Sequence, residues 1–94
     1  MGEFEWDEAK SERCLRERNF DFLFAARVFL DEQRITVVDD RRDYGETRYQ
    51  TVGAIDGRLI FVAYTMRGNV IRIISARRAN EYEEDAYRSG APWR

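Results

Sequence analysis

RYQTVGAIDGRLIFVAYTMRGNVIRIISARR, residues 48–78, consists of three β-rich runs cut by two tight turns. Arg48–Ile55 and Arg58–Met66 flank Asp56-Gly57, a pair that tolerates the positive φ angles of a two-residue hairpin. Arg67-Gly68-Asn69 supplies the second turn, and Val70–Ala76 the next run. Val, Ile, Phe, Tyr and Thr suit a pleated, half-buried surface. Turns this short hold consecutive strands antiparallel, so the stretch predicts a meander. In the last run Arg72 alternates with Val70, Ile74 and Ala76, while Ile71, Ile73 and Ser75 point the other way. Both faces are largely apolar, yet one carries an arginine in mid-strand. A half-buried guanidinium must be paired or held at an open groove.

Towards the N-terminus, Ile35, Val37 and Val38 make a further short strand ended by Asp39-Asp40. Residues 39–47 read as a loop punctuated by Gly45. Its Asp39, Asp40, Asp43 and Glu46 match no calcium-loop spacing and are interleaved with Arg41, Arg42 and Arg48, which favours a solvated loop over a metal site. Asp21 is the expected cap of a helix running to about Leu30, with Phe22, Ala25, Ala26 and Phe29 on one face. Phe20, Leu23 and Phe24 widen that face, either as further core or, for Phe20 or Phe24, as a partner interface. Asp7 caps an earlier helix, Glu8–Arg18, whose few apolar residues (Ala9, Cys14, Leu15) put it at the surface. Phe4 and Trp6 fit a short strand or a lead-in packed on one side. At the other end Asn80-x-x-Glu83 forms a capping box for a last helix, which Ser89-Gly90-Ala91-Pro92 terminates. The expected architecture is a single α+β domain over residues 1–94. It has two N-terminal helices, a four-stranded, mainly antiparallel sheet and a C-terminal helix, with loose ends at 1–3 and 89–94.

Composition narrows the chemistry. Ninety-four residues with 44 % hydrophobic content make one domain with a modest core. There is no histidine, which removes imidazole as base or metal ligand. Cys14 is the only cysteine, so intramolecular disulfides and multi-cysteine zinc sites are excluded, and a lone thiol fits a reducing compartment. No apolar run approaches a membrane-spanning length and the N-terminal segment is acidic, so neither a membrane span nor a signal peptide is expected. Fifteen of the sixteen basic residues are arginine, Lys10 being the exception. The net charge of −2 conceals a pattern: residues 1–32 carry −4, residues 33–80 carry +4, and residues 81–94 carry −2. Two readings fit the basic segment. Its nine arginines are scattered over exposed strand faces beside nearby acids, or some of them line a local groove. Arg48, Tyr64, Arg67, Arg72, Arg77 and Arg78 are the candidates for such a patch, because guanidinium groups grip phosphate bidentately and tyrosine stacks on bases.

At these residues the chain resembles the BrnT family of small ribonuclease toxins from bacterial type II toxin–antitoxin systems. The resemblance runs through Phe4-Glu5-Trp6-Asp7-Glu8-x-Lys10, then Phe20-Asp21-Phe22 with Ala25-Ala26-x-Val28-Phe29. It continues through Asp40-x-Arg42, Gly45-Glu46-x-Arg48-Tyr49 and Gly53. It ends on Ile71-Arg72-Ile73-Ile74-Ser75-Ala76-Arg77-Arg78-Ala79 with Glu83 and Tyr87, so that residues 4–88 are covered. What it implies is a RelE-like toxin fold and cytoplasmic RNA cleavage without a cofactor or metal. It also implies neutralisation by a BrnA-like ribbon-helix-helix antitoxin, with contact to DNA only through that antitoxin and a heterotetramer of two toxins and two antitoxins. Two segments depart from the family pattern. Arg18-Asn19-Phe20 stands where a Lys-His-Gly-like segment is common, and Glu81, Glu83, Glu84 and Asp85 make acidic a last helix that is often basic.

A chemistry compatible with this composition is attack of a ribose 2′-OH on the adjacent phosphate, with arginine stabilising the added charge. Arg72 and Arg77 are the expected phosphate ligands, with Tyr64 stacking or donating a hydrogen bond. Glu46, Glu83, Lys10 and Tyr64 are the candidates for proton transfer, and Lys10, Arg48, Arg67 and Arg78 for guiding the RNA strand. The alternative is a weak or inactive homologue that survives as an antitoxin-binding protein or corepressor.

Overall fold

A computed structural model describes residues 3–93. The elements run β1 (Glu3–Trp6), α1 (Glu8–Arg18), α2 (Phe22–Ala25) continuing into a 3₁₀ turn (Ala26–Leu30), β2 (Ile35–Asp39), β3 (Arg48–Ile55), β4 (Arg58–Arg67), β5 (Val70–Arg78) and α3 (Glu81–Ser89). The meander β3-β4-β5 forms as its turns predict, with Asp56 (φ 50°) and Gly57 (φ 82°) at the first hairpin. Beyond it β2 pairs antiparallel with β3, giving the sheet order β1-β5-β4-β3-β2.

Two features correct the expected architecture. The sheet has five strands rather than four, because Glu3–Trp6 pairs in parallel with Val70–Ile73 along the free edge of β5. The pairing is stabilised by apolar burial: Phe4 packs on Phe29 at 5.5 Å between ring centroids, and Trp6 meets Phe22 edge-on at 6.4 Å. Four residues are too few for composition to separate a strand from a lead-in, since the partner lies some 67 positions away. The second N-terminal helix is one α-turn followed by the tighter 3₁₀ turn, not a continuous helix. Asp21 caps it as expected, accepting from the Phe24 N–H at 2.9 Å. Packing then overrides helical propensity. Val28 is fully buried over Gly53, where an added Cβ would lie only 3.0 Å from the Val28 Cβ and carbonyl oxygen. Just after the turn, the Asp31 carboxylate accepts from the Ala54 N–H at 2.7 Å, drawing the chain onto β3. Of the ends expected to be loose, Glu3 lies in β1 and Ser89 in α3. Residues 1, 2 and 94 lie outside the described residues.

The two sheet faces differ. Under α1, α2 and the 3₁₀ turn lies the main core, built on Cys14, Phe22, Val28, Ile60, Val62 and Ile73. The other face carries Val37, Gln50, Val52 and Phe61, where α3 packs over β3 and Tyr87 donates to Asp31 at 2.6 Å. A bulge at Ala63/Tyr64 governs how β5 reads on these faces. Ser75 pairs with Ala63 and Ile73 with Tyr64, so Ile74 is the extra residue. Simple alternation grouped Ala76 with Arg72. The bulge instead sends Ala76 into the core beside Ile73 and brings Arg77 onto the same face as Arg72.

Candidate functional site

The α3 face of the sheet opens into a cleft of about 540 Å³. Gln50, Phe61, Ala63 and Ser75 form its floor. One wall is Asp39, Arg41, Tyr44 and Arg48, and the other is Arg77, Asn80, Tyr82 and Glu83, with Trp93 also lining it.

Arg77 is the most tightly built element of the second wall. Its two terminal nitrogens donate to the two oxygens of Glu83 at 2.9 and 3.0 Å, a bidentate fork. One of them also donates to the Arg78 carbonyl at 3.0 Å. The guanidinium lies 3.8 Å over the Phe61 ring. Glu83, 5 % exposed, also completes the capping box by accepting from the Asn80 N–H at 2.9 Å, while Asn80 accepts from the Glu83 N–H. Arg77 itself remains 38 % exposed towards the cleft.

The opposite wall is organised by Asp39, only 7 % exposed. It accepts from the Arg41 Nε at 2.8 Å and Nη2 at 2.9 Å, from the Tyr44 hydroxyl at 3.0 Å and from the Gln50 amide at 3.3 Å. The Arg41 guanidinium beside it, with the other donors, holds its carboxyl far below the usual carboxylate range despite burial, and raises Arg41 in turn. Arg48 stacks on Tyr44 at 4.0 Å and pairs with Glu46 at 3.4 Å. The loop is solvated as expected, with residues 40–43 and 45–47 exposed, but the buried Asp39 carboxylate anchors it as a wall of the cleft.

Of the expected site residues, the cleft brings together Arg48, Arg77 and Glu83. Glu46 stands beside Arg48 without lining it. Arg72 and Arg67 lie elsewhere, sharing Glu5 at 2.8 and 3.8 Å. The residues paired with Arg72 and Arg77, Thr65 and Phe61, are four apart on β4, which separates the two arginines by roughly 14 Å. Tyr64 is in the core, stacked on Tyr49 at 5.3 Å and edge-on to Phe29 at 5.0 Å. Lys10 lines a smaller hollow with Arg13, Arg18, Ile74 and Ser75, and Arg78 another with Arg18 and Arg77. Ile74 and Ser75 also line the main cleft, so the hollows continue it around the edge of β5.

The sequence does not single out Asp39, Arg41, Tyr44, Gln50, Phe61, Tyr82 and Trp93 of the cleft, nor Arg13 and Arg18 of the adjoining hollow. For Asp39 a signal was present: Ile35, Val37 and Asp39 share one strand face, which becomes buried. Cys14 plays no part in the cleft; burial pushes its thiol up, and its Sγ donates to the Ala76 carbonyl at 3.6 Å. Among the described residues no three His, Cys, Asp or Glu gather as metal ligands, and no helix is long and apolar enough to cross a membrane.

The model of the family described as the ribonuclease toxin, BrnT, of type II toxin–antitoxin systems matches residues 6–83. The chain belongs to the BrnT family. A search of curated proteins finds no match. The BrnT match takes in both cleft walls and leaves out one lining residue, Trp93. BrnT proteins are ribonuclease toxins, and a type II system implies a protein antitoxin as partner.

Proposed function

We propose that this BrnT protein cleaves RNA at the cleft by metal-independent transesterification. The ribose 2′-OH attacks the adjacent phosphorus and the bond to the 5′ oxygen breaks, leaving a 2′,3′-cyclic phosphate and a 5′-hydroxyl. Arg77 and Arg48 hold the phosphate and stabilise the charge it gains, and Arg41 adds to the field. Glu83 positions Arg77. Glu46, beside Arg48, is the proposed acceptor of the 2′-OH proton, and solvent water protonates the departing 5′ oxygen. Lys10, Arg13, Arg18 and Arg78 guide the flanking strand around the edge of β5. Arg72 and Arg67 act outside the cleft, and Tyr64 acts through the core.

The observation that carries this reading is Arg77. A guanidinium fixed by a buried carboxylate and an aromatic floor, yet still open to a cleft, is preorganised for developing negative charge. With no imidazole present, positioning and electrostatics supply the rate. Expression of the protein alone is expected to arrest growth and degrade RNA, and Arg77→Ala to abolish both. Full toxicity in Arg77→Ala overturns the assignment.

Neutralisation is proposed to come from a BrnA-like ribbon-helix-helix antitoxin in a two-plus-two complex that reaches DNA through the antitoxin. Exposed Leu15 and Leu23 on the helical side support a protein partner there. The second reading, an inactive homologue serving as corepressor, draws on the acidic residues of α3 and on the engagement of both Arg77 terminal nitrogens by Glu83. Absence of RNA cleavage by the purified protein, with and without ribosomes, favours it.

A further inference from the structure

Two aromatic side chains line the cleft, the exposed Tyr82 and the half-buried Trp93. Tyr82 is 79 % exposed, and among the described residues neither it nor Trp93 has a hydrogen-bond or ring partner. The same cleft contains Arg77 and Arg48. The Tyr82 ring buries little against its own helix and is left accessible at the cleft wall. Its backbone, by contrast, is firmly set. Tyr82 lies between Asn80 and Glu83, the two members of the capping box, and Glu83 is clamped by Arg77. A flat apolar ring is thus presented from a rigid turn, next in sequence to the carboxylate that fixes the phosphate-facing arginine. Arg48 over Tyr44 adds a stacked cation on the opposite wall.

We propose that Tyr82 and Trp93 form a base-stacking subsite, and that the substrate class is therefore single-stranded RNA whose bases can splay out of the stack. This rests on the reading of the Arg77 cleft as the phosphate site and adds the base to it. Phosphate contacts alone do not distinguish paired from unpaired RNA. A ring platform does, since a duplex keeps its base faces covered, and every base offers a π-face. Stacking of this kind binds without strong preference among the four bases. The RNA then crosses the cleft with a base against Tyr82 and Trp93, its phosphate at Arg77, and its continuing backbone towards Lys10, Arg13 and Arg18.

The test uses the intact protein carrying Trp6→Phe, which leaves Trp93 as the only tryptophan. The probes are a hexauridylate methylated at every 2′-oxygen to block cleavage, the same oligomer without bases, and a longer G·C-rich duplex, methylated likewise, that stays paired at the assay temperature. The single-stranded hexamer is expected to quench Trp93 fluorescence and to bind about tenfold tighter than the abasic oligomer. The duplex is expected to leave Trp93 unquenched. Tyr82→Ala should weaken the hexamer about tenfold and leave the abasic oligomer unchanged, and Tyr82→Phe should restore the hexamer. Equal affinity for hexamer and abasic oligomer, or an unaltered ratio in Tyr82→Ala, overturns the stacking subsite while the phosphate reading stands. Undiminished binding of both oligomers by Arg77→Gln overturns the phosphate reading instead. Saturable binding of neither oligomer overturns both.

Discussion

Arg72 and Arg77 lie on one strand and, owing to the bulge, on one face, and each is paired with a glutamate. Their surroundings differ. Arg77 forms a two-pronged bridge to a carboxylate that is 5 % exposed and tied to a helix cap, over an aromatic ring, at the wall of a cleft. Arg72 makes one contact with Glu5, which is 39 % exposed and shared with Arg67 at the β1 side of the sheet. Arg72 itself is no more exposed than Arg77, but a single contact to a partly exposed, shared carboxylate contributes less and is more open to screening by salt. A buried carboxylate with several donors has a fixed geometry, and fixed geometry is what charge stabilisation in a reaction requires. Residue type and strand alone do not fix a guanidinium; the carboxylate, ring and cap around it do.

Breaking the stronger pair gives the largest expected loss of stability. Glu83→Ala removes the buried carboxylate, the Arg77 fork and half of the capping box. It is expected to cost about 3 kcal/mol in urea unfolding and to reduce RNA cleavage as Arg77 loses its orientation. A cost below about 1 kcal/mol would mean that the two pairs are alike. The opposite wall gives the next effect. The folded-state Asp39 carboxyl titrates well below its ordinary value, so on acidification the unfolded chain takes up this proton first. The stability it contributes is complete above about pH 4 and is lost as pH falls towards the folded value. Asp39→Asn is expected to lower stability at neutral pH by about 1–3 kcal/mol and to flatten the acid limb of the profile. An unchanged acid limb contradicts the role given to Asp39. Smallest is Glu5→Ala at the weaker pair, expected to change stability by less than about 1 kcal/mol and cleavage hardly at all.

Much of this comparison was legible in the sequence, and the remainder has identifiable physical causes. The meander, the α1 cap at Asp7 and the capping box at Asn80 and Glu83 were readable because local turn and cap chemistry determines them. Arg77 and Glu83 were singled out as functional residues, although their pairing was not. What sequence could not supply was non-local. Pairing of β1 with β5 joins residues some 67 positions apart, and Val28 seated against Gly53 turns an expected helix into a 3₁₀ turn. The bulge at Ile74 had no signal in the alternation and reverses which residues share a face with Arg72. Alternation alone leaves Tyr64 on the open face, whereas its ring partners Tyr49 and Phe29, distant in sequence, hold it in the core. Asp39 reads as the start of a solvated loop, yet it continues the inward face of Ile35 and Val37.

The most direct measurement is the single-turnover rate of RNA cleavage by the purified, antitoxin-free protein, with Arg77→Ala and Arg72→Ala compared under one salt condition. The account predicts a loss of about 10²–10³-fold for Arg77→Ala and less than about threefold for Arg72→Ala. Equal losses in the two variants, or a greater loss for Arg72→Ala, would contradict it.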